Sequence, residues 1–299
     1  MGMDWIACRV RQAHCPKVRG KVRFSGLSLL RAFWLILLLA VTGCSITHAI
    51  RIKDGQRIGV EQMIAEVRNA PVILVGERHD DASHHELQLD VIKGLQKNWK
   101  HLAIGVEMFE IDSQPALDDW IAGKTREEQF VRVYQANWRN LNWGLYRDIF
   151  LFARDHGIPM AALNAPYRIV EKVARQGFSA LSIAELRALP AESTGPVSDE
   201  NLRFMTAYFP MHGRNGEAFR YLCEAQALRN RVMAKEILLY LARHPGSHMV
   251  VLTGGGHVWG KGGIPAELGK LPYKVILPPL PGIDSDDPGM GRRADYLLD

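Results

Sequence analysis

The chain has 299 residues, of which 47% are apolar and 23% are charged, a balance that excludes a disordered or fibrous protein. A chain of this length can bury a core that needs no disulfide or structural metal. The formal charge of +5 belongs to residues 1–44, because the rest of the chain carries 30 basic and 31 acidic side chains. The composition therefore does not favour nucleic-acid binding by the remaining domain.

Residues 1–44 are predicted to form a lipoprotein signal peptide. A basic region precedes an apolar run at 32–41, which is short for a bilayer span but suits a secretory signal. The run ends in Val-Thr-Gly-Cys at 41–44, which resembles a bacterial lipobox, so Cys44 is the expected site of acylation, including palmitate. Ser45 follows in place of an aspartate, which favours the outer membrane. The alternative is an ordinary signal or a buried helix with a chance cysteine.

The remainder is expected to be one α/β domain, at 45–285, with a largely parallel β-sheet flanked by helices. Short runs rich in Val, Ile and Leu predict strands at 72–76, 103–107, 159–163, 248–252 and 273–277. Helical spacing of apolar residues predicts helices at 84–97 and 216–243. Regions near 110–150 and 178–215 are interpreted as helical insertions that form a cap subdomain, and 286–299 as a flexible tail.

Acids and histidines follow three of the predicted strands. Glu77 and His79 come directly after the first, Glu107 ends the second, and His257 follows the fourth after the glycine-rich turn 254–256. The carboxyl ends of parallel strands form the edge at which open α/β sheets bind ligands, so we expect one shared pocket. Any one of these groups alone could be structural, but together they suit zinc, iron or manganese. Glu77, His79, Glu107 and His257 are therefore candidate ligands of a divalent metal.

Several common motifs are absent from the printed sequence. The stretch around His85 and Glu86 lacks the second histidine of a zincin helix, and no Gly-x-Ser-x-Gly elbow occurs. The glycine-rich turn is not followed by Lys-Ser or Lys-Thr, so it does not predict a phosphate loop. No Cys-x-x-Cys occurs, which argues against a thiol redox site or covalently attached haem.

Five fragments follow one another along the chain: GERHDDASHHELQLDVI (76–92), GVEMFE (105–110), ALNAPYRIV (162–170), EAQALRNRVMA (224–234) and VVLTGGGHVWGKGGIPAEL (250–268). In this order they resemble the ChaN family, within a superfamily that includes Tiki proteins and erythromycin esterases. By motif, the shared polar set of the superfamily matches Glu77, His79, His85, Glu107 and His257. One departure is Asn230, where the resemblance leads us to expect an aspartate.

The resemblance implies a haem-binding protein that assists haem and iron uptake beside an outer-membrane transport system. It also implies a homodimer that encloses haem, with the domain on the periplasmic or surface side of the membrane. Haem iron is bound by His, Tyr, Cys or Met side chains. Tyr208 and His212 are the candidate ligands, and the sequence does not rank them against Tyr146 or Tyr167.

Two other functions stay open. The Glu/His set is typical of a metal-dependent or general-base hydrolase, in which His79 or His257 is the base and a glutamate orients it. The third alternative is a purely structural lipoprotein, for which replacing His79 or His257 is silent in haem-binding and hydrolysis assays.

Overall fold

In the residues described by the computed structural model, 46–139, 141–208, 216–278 and 293–299, eight strands form one sheet. They are β1 (His48–Arg51), β2 (Gln56–Gly59), β3 (Val72–Glu77), β4 (Leu102–Glu110), β5 (Met160–Asn164), β6 (His248–Gly254), β7 (Tyr273–Leu277) and β8 (Tyr296–Leu298). Their order is β2-β1-β8-β7-β3-β6-β4-β5. The strands from β8 to β5 in that order are parallel, whereas β1 and β2 are antiparallel. The predicted, largely parallel α/β fold is therefore confirmed.

The five predicted strands are all present, with ends shifted by three residues or fewer. They are apolar throughout because both faces of the sheet are covered. In β3, Ile73 and Val75 pack into the core on one face, whereas Val72 and Leu74 pack into the core on the other. The same alternation in β4, β5, β6 and β7 produces the continuous runs from which the strands were predicted.

Five helices cover the face of the sheet on which Ile73 and Val75 lie. They are α1 (Val60–Val67), α2 (Ala82–Gln96), α3 (Gln114–Ile121), α4 (Glu127–Asn137) and α5 (Trp143–Asp155). The N-terminus of α2 is capped by Asp81, whose carboxylate accepts a hydrogen bond from the amide of Ser83. The helices of the expected insertion near 110–150 share one apolar core with the sheet and α2. They are thus part of the layer on this face.

The second face is covered by α8 (Asp199–Tyr208), α9 (Glu217–Arg243) and α10 (Ile264–Glu267). The helices α6 (Tyr167–Gln176) and α7 (Ile183–Arg187) belong to the chain between β5 and α8, and α6 packs against α9 through Ile169, Val173 and Leu228. In the part of the chain that the structure describes, none of the helices is long and apolar enough to cross a membrane.

The expectation of a flexible tail at 286–299 is wrong for residues 293–299. Tyr296–Leu298 forms β8, which pairs with β1 on one side and β7 on the other. All three side chains are buried, and Asp295 accepts hydrogen bonds from the Val275 amide and from Lys274. A strand of three residues is too short to give a periodic signal, so the sequence pattern did not reveal it.

Candidate functional site at the carboxyl edge of the sheet

Glu77 is the last residue of β3 and is almost fully buried. It continues the series Ile73, Val75, so its side chain lies on the face covered by α2 and α5. Tyr146 of α5 donates a hydrogen bond to Glu77 Oε1 at 2.6 Å, and His79 Nδ1 lies 2.7 Å from the same oxygen. His85 of α2 places Nδ1 2.9 Å from Oε2, as a charge contact.

These contacts keep Glu77 ionised. Burial acts to raise the pKa of the Glu77 carboxyl, but the charges and hydrogen bonds of His79 and His85 outweigh it and lower that pKa to about 2. Burial likewise acts to lower the pKa of His79, but the Glu77 carboxylate outweighs it, and the pKa is raised. The side chain of His79 remains 24% exposed, so this ion pair is reachable from solvent.

Glu107 lies on the opposite face of the sheet. It shares the side of β4 on which Ala103 packs, towards α9. Arg229 of α9 donates to Oε1, and Thr253 of β6 donates to Oε2. The Gly254 amide also donates to Oε2, at 2.7 Å. The carboxylate therefore has three donors although it is buried.

Burial acts to raise the pKa of Glu107, but His257 and Arg229 lower it well below its ordinary value of 4.5. The pKa of His257 is itself lowered, because burial disfavours the imidazolium more than Glu107 favours it. At neutral pH the permanent charge of Arg229 is therefore the charge that balances Glu107.

His257 follows β6 in a short 3-10 turn and is buried. Its Nδ1 lies 2.6 Å from Asn230 Oδ1, and an amide oxygen only accepts, so Nδ1 carries a hydrogen. Gln226 also contacts Nδ1 at 3.2 Å, and Nε2 lies 3.4 Å from Glu107 Oε1. The side-chain nitrogen Nδ2 of Asn230 donates to the Gly262 carbonyl at 3.1 Å, so the asparagine found in place of the expected aspartate has partners for both its oxygen and its nitrogen and positions His257.

Gly254 is the last residue of β6 and lies between His79 and Glu107. A Cβ at this position would lie 2.9 Å from His79 Cε1, 3.0 Å from His79 Nε2 and 3.7 Å from Glu107 Oε2. Glycine is needed here because the His79 ring rests on the backbone. His79 therefore lies close to both carboxylates, and its charge acts on both.

The structure thus brings the four predicted residues to one edge, as two carboxylate–histidine pairs on opposite faces. The expected metal ligands do not form a single set, because the oxygens of Glu107 already have donors and Glu77 faces the other way. Within the described ranges no group of three or more His, Cys, Asp or Glu side chains is arranged to hold a metal ion.

The remaining predicted site residues have different outcomes. Tyr208 is the last residue of α8, and its side chain is outside what the structure describes, as are His212 and Cys44. Tyr146 is buried, and burial with the charge of Glu77 raises the pKa of its phenol well above 10.0. Tyr167 is 46% exposed at the start of α6, with the Arg139 guanidinium 5.8 Å from its ring centre.

Sequence reasoning missed the side chains from α9 and β6 that satisfy Glu107. Arg229, Gln226 and Thr253 lie within the fragments 224–234 and 250–268 that resemble the ChaN family, but their roles were not identified. Arg229 also donates to Asn164, whose side chain donates in turn to the Glu107 carbonyl. A helical register that places 226, 229, 230 and 233 on one side was the available signal.

Two cavities in the described residues lie away from this edge. One, of about 430 Å³, is at the amino end of the sheet and is lined by Arg68, Asn69, Asn98, Trp99 and His248. The other, of about 270 Å³, lies beside Tyr273 and Arg293. Neither contains a residue of the two carboxylate–histidine pairs.

The family model described as "Haem-binding uptake, Tiki superfamily, ChaN" matches residues 63–268. A curated relative, Protein RETICULATA-RELATED 5 of Arabidopsis thaliana, described as chloroplastic, is 25% identical over 246 residues. That match takes in 75% of this chain and 32% of the relative, so the chain spans about a third of the relative's length.

Among solved structures, the chain is similar to one described as cofacial heme binding to ChaN of Campylobacter jejuni. The TM-score is 0.65 at 20% identity, and the match covers 84% of this chain and 95% of that chain. An erythromycin esterase in its open conformation matches with a TM-score of 0.49 at 11% identity, over 85% of this chain and 82% of that chain. The first likeness shows the same fold.

Proposed function

The chain belongs to the ChaN family of the Tiki superfamily, and on that premise we propose that it binds haem and assists haem and iron uptake. The observation that carries this proposal is the family match over 63–268, which contains both carboxylate–histidine pairs. We further propose that acylation at Cys44 anchors the chain to the outer membrane, where it acts with a haem or iron transport system.

The donor chemistry of the chain suits haem. Tyrosine oxygen and histidine nitrogen are haem-iron donors, and Tyr208 and His212 are the proposed ligands. Tyr167 is the alternative that the structure favours over Tyr146. Its ring is accessible, with the Arg139 guanidinium 5.8 Å from the ring centre. Tyr146 is enclosed and already donates to Glu77.

The test is a haemin titration of the full chain purified in detergent. A Soret band that saturates at a fixed ratio of haemin to protein is expected. Replacing the side chain that binds the haem iron should lower the affinity for haemin at least ten-fold. We compare the haemin affinities of three variants, Tyr208→Phe, His212→Ala and Tyr167→Phe. Tyr146→Phe is the matched control for loss of a phenol. Absence of saturable binding by the unaltered chain contradicts the proposal.

The similar structure is described as cofacial heme binding, and we propose that haem is enclosed between two copies of this chain. Sedimentation of the full chain with and without haemin tests this. The sedimenting mass is expected to double on haemin addition, and a monomer at saturating haemin contradicts it.

The second candidate is a hydrolase, and the geometry of His79 favours it. Its Nδ1 is fixed by Glu77 while part of the ring is exposed, the arrangement of an oriented acid–base group. Because the Glu77 carboxylate raises its pKa, His79 is more readily protonated than a free imidazole, which favours a first step as an acid. Ester hydrolysis lost on His79→Ala, with haemin binding unchanged, would support this candidate. Inhibition of that hydrolysis by a chelator would indicate that a divalent metal takes part in the reaction.

A further inference from the structure

His85 is a buried histidine beside the Glu77–His79 pair. It lies near the start of α2, is 3% exposed, and has its ring centre 4.2 Å from that of Tyr146. A neutral imidazole has a hydrogen on one nitrogen and a lone pair on the other, whereas an imidazolium has a hydrogen on both. The atoms that face the two nitrogens therefore determine which form the protein stabilises.

Both ring nitrogens of His85 face hydrogen-bond acceptors. Nδ1 lies 2.9 Å from Glu77 Oε2 and 3.2 Å from Gln88 Oε1. The Gln88 amide is oriented by its own nitrogen, which donates to the Val75 carbonyl at 3.4 Å and leaves the amide oxygen towards His85. Nε2 lies 3.3 Å from the carbonyl oxygen of His79. A lone pair on either nitrogen would face an oxygen in the interior, where such a contact is costly.

The charge of Glu77 favours the doubly protonated ring. Burial acts to lower the pKa of His85, but the Glu77 carboxylate and the other acceptors outweigh it, and the pKa is raised. The preceding residue, His84, is the contrast. Its Nδ1 accepts a hydrogen bond from the Arg78 amide at 3.0 Å, so this nitrogen carries no hydrogen, and burial lowers the pKa of the ring. Two adjacent buried histidines thus have opposite surroundings.

His79 differs from His85 because only one of its nitrogens is fixed by Glu77. Its Nδ1 lies 2.7 Å from Glu77 Oε1, and because an ionised carboxylate only accepts, Nδ1 carries a hydrogen. The neutral and the protonated ring both keep this bond, since the second hydrogen is on Nε2. Burial acts to lower the pKa of His79, Glu77 and Glu107 act to raise it, and Arg229 acts to lower it. Its side chain is 24% exposed, so protons reach it from solvent.

We propose that His85 is a positioning residue that stays an imidazolium and balances the charge of Glu77, so that His79 is the histidine of this cluster that gains and releases a proton. Arg229 balances Glu107 in the same way on the other face of the sheet. A proton that enters at His79 therefore adds a positive charge to the edge, because Glu77 already has its counter-ion. The inference goes beyond haem binding, and it holds whether the edge serves haem binding or hydrolysis.

The test is nuclear magnetic resonance of the full chain in detergent without haemin, with isotope-labelled histidine nitrogens. Protonated and unprotonated ring nitrogens resonate in separate ranges. At neutral pH both nitrogens of His85 should be protonated, whereas His84, the matched control, should have one of each. The variants His85→Gln and His84→Gln assign the signals by their loss. An unprotonated ring nitrogen in His85 at neutral pH overturns the proposal.

The same variants separate a charge effect from a merely structural one. His85→Gln removes the cation beside Glu77, so the titration midpoint of His79 should move to higher pH, because an unbalanced carboxylate favours the protonated ring. His84→Gln removes a neutral ring and should leave that midpoint in place. A His79 midpoint that stays or falls in His85→Gln contradicts the proposal.

Should His85→Gln fail to fold, neutron diffraction from a crystal of the unaltered chain decides. Hydrogen density on both ring nitrogens of His85, with His84 Nδ1 bare, supports the proposal. A bare nitrogen in His85 overturns it.

Discussion

Replacing Arg229 by methionine tests whether Glu107 is held ionised by a single permanent charge. Methionine keeps much of the apolar stem of Arg229 and removes the guanidinium. The carboxylate of Glu107 is fully buried, and the Arg229 side chain is 17% exposed. The variant therefore leaves a buried carboxylate with the Thr253 and Gly254 donors alone.

Breaking a buried ion pair by removing one partner typically costs about 3–5 kcal/mol. Two donors to Oε2 remain, and His257 lies 3.4 Å from Oε1, where it is able to take up a proton. We therefore expect a loss near the lower end, about 3 kcal/mol at pH 7. The matched control is Arg147→Met, because Arg147 pairs with Glu127 at the surface and such pairs are worth about 1 kcal/mol or less.

The cost should depend on pH in a defined direction. A carboxyl whose pKa is lowered by folding contributes stability above its ordinary pKa of 4.5, and this is lost as pH falls through the folded value. In Arg229→Met the pKa of Glu107 is expected to rise, so the folded variant takes up a proton at higher pH than the unaltered protein. The unfolded states titrate alike, so the stability gap between the two should be full above the raised folded pKa of the variant and shrink as pH falls from that value towards the lower folded pKa of the unaltered protein.

The assay is urea denaturation of both variants and of the double variant Glu107→Gln with Arg229→Met. The double variant should be more stable at pH 7 than Arg229→Met alone, because the unpaired charge is gone. The reasoning is refuted if Arg229→Met costs no more than Arg147→Met, or if its cost grows on acidification.

Two further predictions concern Gly254 and Asn230. Gly254→Ala places a methyl group under 3.0 Å from the His79 ring. It should lower the free energy of unfolding in urea by about 1–3 kcal/mol and shift the His79 resonances. The control Gly59→Ala, with open space around it, should leave those resonances in place. Asn230→Asp puts a charge 2.6 Å from His257 Nδ1 and should raise the lowered pKa of His257, as followed by a resonance titration against pH. An unchanged pKa would mean that Asn230 does not position this ring.

The parallel part of the sheet was predictable because both of its faces are buried. A strand such as VILVG needs apolar residues at every position only when helices cover both faces of the sheet. The strands β3, β4, β5, β6 and β7 were therefore visible in the sequence. The antiparallel β1 and β2 and the three-residue β8 were not predicted. β1 and β2 are four residues long and contain exposed or half-buried positions, and β8 is buried but has only three residues, so none of the three gives a periodic pattern that can be detected.

The candidate site was predictable as an edge but not as two pairs. Glu77 ends β3 and Glu107 lies near the carboxyl end of β4, and these two parallel strands flank β6, so both residues lie at the same edge of the sheet. Their faces follow from the alternation along each strand, but the helices that meet those faces do not. Tyr146 comes from α5 and Arg229 from α9, at 69 and 122 residues from the carboxylates that they bond. Such long-range partners are fixed by tertiary packing, which a local pattern does not contain.

The opposite placement of the carboxylates gives His79 its importance. A side chain confined to one face of the sheet contacts only one of them, but His79 extends past the end of β3 and rests on Gly254 at the end of β6. Glu77 bonds its Nδ1, and both Glu77 and Glu107 raise its pKa. A change of protonation at His79 therefore alters the charge balance on both faces at once. We therefore expect a ligand that changes the protonation of His79 to alter both buried pairs at once.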